Sequence, residues 1–570
     1  MAKHAKIGQT SLSKENFSNS PAKLIALSAI LGVILSFSAF GLNIIISLKA
    51  GDGLTSAVTN FAVGIVLLGA ISYLLLRVAT KAKFISLGKK ASNLLALNPK
   101  CVVALSAIIL VCWIPAAVMM SPFHAGPDTI AQLLWSQGYP AFDPSSREVL
   151  NGYTMSDHHP FLDTLIYGFF YDIGQALGNA TIGMQIYCYL QLLIMASVFG
   201  YMVCWMKERG VPSFLCIFAL LFFAINPFFP MHLMQVVKDI TSMPFFIAWI
   251  IAFTDLVLEV KNSKKITVRR VLVILLLVIL GSLMRKTLLY IMVPSLLVLA
   301  LYSLFKRKGS FAPILISLAV PALVVLIIVP KLIFPVLGVS PGGSQETISV
   351  PIQQVSCIVV KNEGALSDED KKIIDAVLPY EKIPELYNLT SADAVKDSWK
   401  RDSTDSDKLA FLGLWIRLGL AYPAEYINCL TYQFGYWFRG VFNSDSICVW
   451  WGWDEMGSSS LFPAYKSGEQ TEGQKALYEF VHETLYASNP ITEFFFDEAV
   501  YVLWIPAFAF MLALLRPKKT RNLILFLPIL LSMAVLFTVP AFQTRYGFNM
   551  IFLAPYIISI AYIRRYRYSS

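Results

Sequence analysis

The chain has 570 residues, of which 56% are hydrophobic and 14% charged, and its mean hydropathy is +0.63. A water-soluble fold of this size cannot enclose so much apolar surface, so a polytopic membrane protein is the direct reading. The net charge of +10 does not point to nucleic acid, because the cations are parcelled into short groups between apolar runs.

About twelve apolar runs approach the length that crosses a bilayer. They cover residues 22–48, 55–76, 101–120, 182–206, 211–225, 240–258, 271–283, 287–305, 311–329, 499–515, 523–539 and 547–563. Lys and Arg recur at alternate turns of this thread, among them Lys3, Lys6 and Lys14, Arg77 and Lys81, Lys207 and Arg209, Lys306 to Lys308, and Arg564, Arg565 and Arg567. Positive charge marks the cytoplasmic side, so both termini are expected inside a plasma membrane. Residues 1–21 read as a disordered cytoplasmic leader with no cleavable signal, and 22–120 as N-terminal membrane helices.

Residues 121–181 form an expected extracytoplasmic loop. Asp128 stands in Gly126-Pro127-Asp128-Thr129, feeding a helix at 127–137 with Ile130, Leu133 and Leu134 on one face and Gly138 at its end. A carboxylate at a membrane edge is partly desolvated, keeps a raised pKa and suits a general base. The competing reading is an ordinary helix-start acid. Asp157-His158-His159-Pro160 is the densest ionisable cluster, and His124 shares its loop. The histidines suit orienting Asp128, binding phosphate or holding a divalent metal; capping by Asp157 or His159 is the alternative. A second helix, 160–177, carries Leu162, Leu165, Ile166, Phe169 and Phe170 at helical spacing. Both helices are expected to lie flat at the interface.

In the membrane core, 182–330, two polar pairs fall on the outer side. Lys238-Asp239 offers a cation for phosphate and a carboxylate for a hydroxyl or a helix cap. Arg285-Lys286 interrupts an apolar stretch, an anomaly that reads as anion binding or ion pairing.

Residues 331–498 form the one large hydrophilic unit, an extracytoplasmic and mainly helical domain. Helices at 409–420 and 424–437 flank Pro423, followed by Tyr432, Tyr436, Trp437, Phe438, Trp450, Trp451 and Trp453. This part either lies on the bilayer over the site or forms the domain's own core. Residues 499–570 hold the last helices and a basic tail, with Gln543-Thr544-Arg545-Tyr546 in the last outer loop. Of eight cysteines, Cys357, Cys429 and Cys448 lie outside the apolar runs; at most one disulfide can form among them, and its pairing is open.

Taken in this order, the acidic loop, His158-His159-Pro160, Lys238-Asp239, Arg285-Lys286 and Arg545-Tyr546 resemble the GT-C superfamily of integral membrane glycosyltransferases. The resemblance implies an all-α polytopic fold and transfer of a sugar from a polyprenyl-phosphate donor to a cell-envelope glycan, lipid or protein hydroxyl. It implies Asp128 as base, assisted by Asp157, His158 and His159; Lys238, Arg285, Lys286, Arg545 and Tyr546 at the donor phosphate; and Asp239 and His124 orienting substrate. A divalent metal held by Asp128, His158 and His159 is the one cofactor left open. The chain departs from the pattern in having two spans ahead of the acidic loop, its soluble part before the last three spans, and Asp128 with only a distant Asp157 in place of paired acids. The competing functions are a transporter or flippase, and a polysaccharide polymerase or ligase that uses a lipid-linked donor.

Overall fold

The computed structural model describes residues 17, 20–50, 53–81, 89–143, 148–306, 309–439, 471–486, 494–518 and 521–564. The leader cations Lys3, Lys6 and Lys14, the tail residues Arg565 and Arg567, Cys448, and Trp450, Trp451 and Trp453 lie outside the described residues. Helix dominates, and the paired strands among the described residues are four two-residue pieces.

Among the described residues, seven helices are long and apolar enough to cross a membrane: Pro21–Gly41, Leu54–Lys81, Pro99–Met119, Ala180–Glu208, Lys238–Lys261, Lys286–Phe305 and Phe311–Leu337. The protein is therefore a membrane-embedded helical protein. The other five expected runs form shorter or interrupted helices. Ser213–Ile225, Val500–Leu514 and Leu523–Thr538 are short and apolar, and Val268–Met284 has 17 residues. The last run breaks at Leu553 into Phe548–Phe552 and Ala554–Ser559. Pro555 follows the break and has no amide hydrogen to continue the ladder. The helix begun at Phe311 carries Lys331 and ends at Leu337, where Gly338 adopts the left-handed conformation (φ 64°). The hydrophilic insertion thus starts after Gly338, later than the expected 331, because a glycine in that conformation stops the helix without strain.

Burial ranks the helices. In Lys238–Lys261, 83% of the most apolar window is buried, against 17% in Leu54–Lys81, so the former is the central post and the latter peripheral. Leu54–Lys81 pairs with Pro21–Ala50 at a glycine contact, where a Cβ on Gly32 would meet the Gly69 backbone at 2.7 Å. Such close approach is how helices associate without a hydrophobic driving force.

The helix Phe161–Ala176 is inverted relative to a soluble helix. Asp163, Thr164, Tyr167, Gly168, Tyr171 and Gly174 are buried, while Leu165 and Phe169 are exposed. Leu165 and Phe169 face outward, Leu162, Ile166 and Phe170 pack partly against the core, and the small and polar residues pack on Ala180–Glu208. A Cβ on Gly174 would meet Ala180 at 2.6 Å. That polarity suits an apolar surrounding and a polar interior.

The insertion has a separate core built from Ile352, Val355, Ile358, Ile374, Phe411 and Leu418 among others. Two of its helices, Asp405–Ala421 and Pro423–Phe434, fall where expected. Phe411, Leu414, Leu418 and Tyr426 enter the core, whereas Leu409, Ile416, Leu420 and Ile427 are exposed. The core reading thus holds for one face of this pair.

Two parallel strand pairs tie distant segments together. β1 (His124–Ala125) pairs with β3 (Gln235–Val236), and β2 (Met155–Ser156) pairs with β4 (Val339–Ser340). The insertion also docks on the last loop. The Ala392 amide donates to the Pro540 carbonyl at 2.8 Å, and the Gln433 side chain donates to the same oxygen at 2.8 Å.

Candidate active site at a convergence of four segments

The strand pair β1–β3 sets the first contact. It places Asp128, in the first turn of the helix Pro127–Ser136, beside Lys238, which opens the next helical turn after β3. The Thr129 hydroxyl donates to the Val236 carbonyl and locks the register. Lys238 Nζ lies 3.1 Å from Asp128 Oδ2, and Arg545 Nη1 reaches the same oxygen at 2.9 Å. Lys238 also donates to His159 Nδ1 at 3.2 Å.

A chain of ion pairs continues inward. Arg545 Nη1 lies 4.0 Å from Asp239 Oδ2, and Arg285 Nε lies 3.0 Å from Asp239 Oδ1. Arg285 donates further to Asn549 Oδ1 at 3.1 Å and to the Tyr546 carbonyl at 3.4 Å. Asp239 and Arg285 are both buried. They hold the 543–549 segment against the start of the central helix.

The second strand pair, β2–β4, brings in the 157–159 segment. Lys286 Nζ lies 2.6 Å from Asp157 Oδ2 and also reaches the Asp157 carbonyl. His159 stacks on Trp135 (ring centroids 5.8 Å apart) and meets His158 edge-on at 4.7 Å. His158 Nδ1 faces Glu346 Oε1 of the insertion at 3.7 Å.

These groups border one cavity of about 930 Å³. Its polar wall carries Asp128, Lys238, Arg545, Lys286, His158 and Glu346. Its apolar wall comes from Leu531, Ala534 and Val535 of the helix Leu523–Thr538, and from Tyr290 near the start of another span. His124 and Tyr546 also line it, whereas Arg285, Asp239, Asp157 and His159 stand behind the wall.

The charge states follow from these contacts. Burial favours the neutral acid at Asp128, but Lys238 and Arg545 outweigh it and hold the carboxyl well below its ordinary range. This corrects the expectation of a raised pKa: two cations meet one oxygen, and coulombic attraction exceeds desolvation. Burial raises Asp157, an effect partly offset by Lys286. Burial pushes His124 down to about 4 and His158 down to about 3, with Lys238 and Lys396 adding to the latter. Burial likewise holds His159 well below the ordinary range, against the pull of Asp128. All three histidines are therefore neutral near pH 7 and act through hydrogen bonds, not charge.

The metal set Asp128, His158 and His159 does not fit. Lys238 Nζ lies within 3.1 Å of Asp128 and 3.2 Å of His159, so an ammonium stands between the two donors. Among the described residues, no group of three His, Cys, Asp or Glu side chains is placed to hold a metal ion.

Two features escape a reading of the sequence. The insertion contributes Lys396, whose Nζ lies 3.1 Å from Glu346, 3.2 Å from Asp393 and 3.7 Å from Asp397. All four residues line the cavity. The other is Asp163, fully buried, with no hydrogen-bond partner for either carboxylate oxygen among the described residues. Burial raises its pKa well above the ordinary range; Lys238 opposes that and Asp239 adds to it.

A helical membrane protein with an ionised pocket against its apolar spans is the class that fold and site define. The chain belongs to the DUF6020 family, a family of unknown function, with the match covering residues 151–569. No curated protein and no solved structure matches the chain.

Proposed function

We propose that the protein is a membrane glycosyltransferase of GT-C type, which moves a sugar from a polyprenyl-phosphate donor to a cell-envelope hydroxyl. The observation that carries this reading is the two-walled cavity. Lys238 and Arg545 stand on one side, and apolar residues of a membrane helix stand on the other. A lipid phosphate has both characters: an anion for the cations and an isoprenoid chain for the apolar wall.

The chemistry follows from the ion pairs. The donor phosphate competes with Asp128 for Lys238 and Arg545. As it takes those cations, the Asp128 carboxylate loses the attraction that depresses its pKa and becomes a better base. Asp128 then accepts the proton of the acceptor hydroxyl. The hydroxyl oxygen bonds to the anomeric carbon, and the carbon–phosphate-oxygen bond breaks with its electron pair leaving on the phosphate. Lys238 and Arg545 stabilise that charge. Lys286, His158 and Tyr546 shape the pocket around the sugar. Arg285 and Asp239 hold Arg545 in place from behind, a positioning role in place of the direct phosphate contact expected for Arg285.

In this reading the five shorter helices complete a twelve-span bundle. Both termini face the cytoplasm, the insertion is extracytoplasmic, and the helices Pro127–Ser136 and Phe161–Ala176 sit near the outer headgroup plane. The partners are a lipid-linked sugar and an envelope glycan, lipid or protein acceptor. The test is sugar transfer by the purified protein in lipid nanodiscs, with polyprenyl-phosphate sugars as donors. Asp128→Asn abolishes transfer while donor binding persists; full transfer by that variant refutes the assignment.

A further inference from the structure

Two helices of the insertion, Ser349–Lys361 and Pro423–Phe434, pack side by side in a fixed register. At one end the Gln354 side chain donates to the Tyr426 carbonyl at 3.4 Å. At the other end Lys361 sits over the Tyr432 ring, 6.0 Å from its centroid. One helical turn along from Gln354 and from Tyr426 stand Cys357 and Cys429, so the register sets the two cysteines opposite each other. Both are fully buried free thiols that stand close enough to influence each other, with the Tyr387 hydroxyl beside them.

We infer that Cys357 and Cys429 form a structural disulfide that closes the segment 358–428 into a covalent ring. The two positions lie on separate helices and bracket Asp393, Lys396 and Asp397, the part of the insertion that lines the cavity. The bridge therefore staples the part of the insertion that carries one cavity wall to its own core. The inference rests on the extracytoplasmic placement of the insertion proposed above and holds whatever the cavity binds.

The reaction is a two-electron oxidation. Two thiols lose two protons and two electrons as one S–S bond forms, and an exogenous disulfide accepts them and becomes two thiols. One cysteine attacks the exogenous disulfide as its thiolate, and the other, once deprotonated, attacks the resulting mixed disulfide and releases the second exogenous thiol. Because both sulfurs are sealed in the finished core, the exchange belongs to folding, before the two helices close.

The test is disulfide mapping on the full-length protein. Membranes are prepared without reductant, denatured in iodoacetamide, and the purified chain is digested and weighed. The expected product is a linked peptide pair carrying Cys357 and Cys429, two hydrogens lighter than the reduced pair, with Cys448 alkylated. Alkylation of Cys357 and Cys429 at full yield, or a bridge that includes Cys448, overturns the inference. Cys448→Ser is expected to leave the linked pair unchanged, and its loss in that variant also counts against it. Since no donor or acceptor enters this measurement, its outcome is separate from that of the transfer assay.

Discussion

Arg545 and Asp128 stand 417 positions apart in sequence and meet at 2.9 Å. The carboxylate they share with Lys238 is what makes the pocket a preformed anion exchanger: a carboxylate holds the cations until a phosphate arrives. Removing either cation should weaken donor binding, while removing the carboxylate should spare binding and stop chemistry. Arg545→Ala is expected to raise the apparent Kd for a polyprenyl phosphate at least about tenfold, as loss of a charge-assisted contact does. Asp128→Asn is expected to lower kcat by about 10²–10⁴, the usual scale for a general base. Titration in nanodiscs and steady-state kinetics separate the two effects, and a pure KM effect in Asp128→Asn would contradict the division of labour.

The Asp239–Arg285 pair should matter to the fold more than to binding. Both side chains are at most 5% exposed, and the pair is closed at 3.0 Å. Asp239→Ala leaves a buried guanidinium with its principal partner gone and is expected to destabilise the protein by about 3–5 kcal/mol. The double replacement Asp239→Leu with Arg285→Leu is expected to recover much of that loss. Thermal unfolding in detergent checks both; equal instability of the single and double variants would argue against the pair as the cause.

A pH dependence is set by Glu498. It is fully buried, accepts a hydrogen bond from the Thr544 hydroxyl at 2.6 Å, and is pushed up to about 8 by burial, the Thr544 bond opposing the shift. An unfolded glutamate ionises near 4.5 while the folded one keeps its proton to about 8. Between those values the unfolded state binds fewer protons, so this group's contribution falls as pH rises, by up to about 1.4 kcal/mol per pH unit. Glu498→Gln is expected to flatten the decline of Tm between pH 5 and 8. An unchanged slope would place the titrating group elsewhere.

Lys396 is shared by Glu346, Asp393 and Asp397 at once, and its side chain is 6% exposed. The three acids are partly solvated, so water takes up some of the loss when the lysine is removed. Lys396→Met is expected to cost about 1–3 kcal/mol and to speed limited proteolysis of the insertion while leaving the membrane helices intact. Unaltered cleavage would mean that the cluster does not hold that wall.

Much of this arrangement can be read from the residues. Lys238, Arg285 and Arg545 stand out because cations are costly in apolar surroundings, and all three enter one network. The charge state of Asp128 cannot be read that way, because the groups that set it come from positions 238 and 545. The helix Phe161–Ala176 shows in its apolar spacing, whereas the burial of Asp163 and Thr164 depends on the elements packed behind them. Lys396 is lost among the many charges of the insertion, and only its fold shows that this lysine is the enclosed one. The helices flanking Pro423 and the loop holding Asp128 were legible because proline, glycine and apolar spacing act locally.

The strand pairs that assemble the pocket are two residues long, and the last cation arrives with the 543–546 segment. A nascent chain therefore carries Asp128 and Lys238 through most of its synthesis without Arg545. The pocket acquires its full charge only once translation has nearly finished, so partly made chains hold an anionic lipid less tightly. A truncation before Gln543 should leave a protein that keeps its earlier membrane helices but lacks both Arg545 and the last apolar run, 547–563, and so has no functioning pocket.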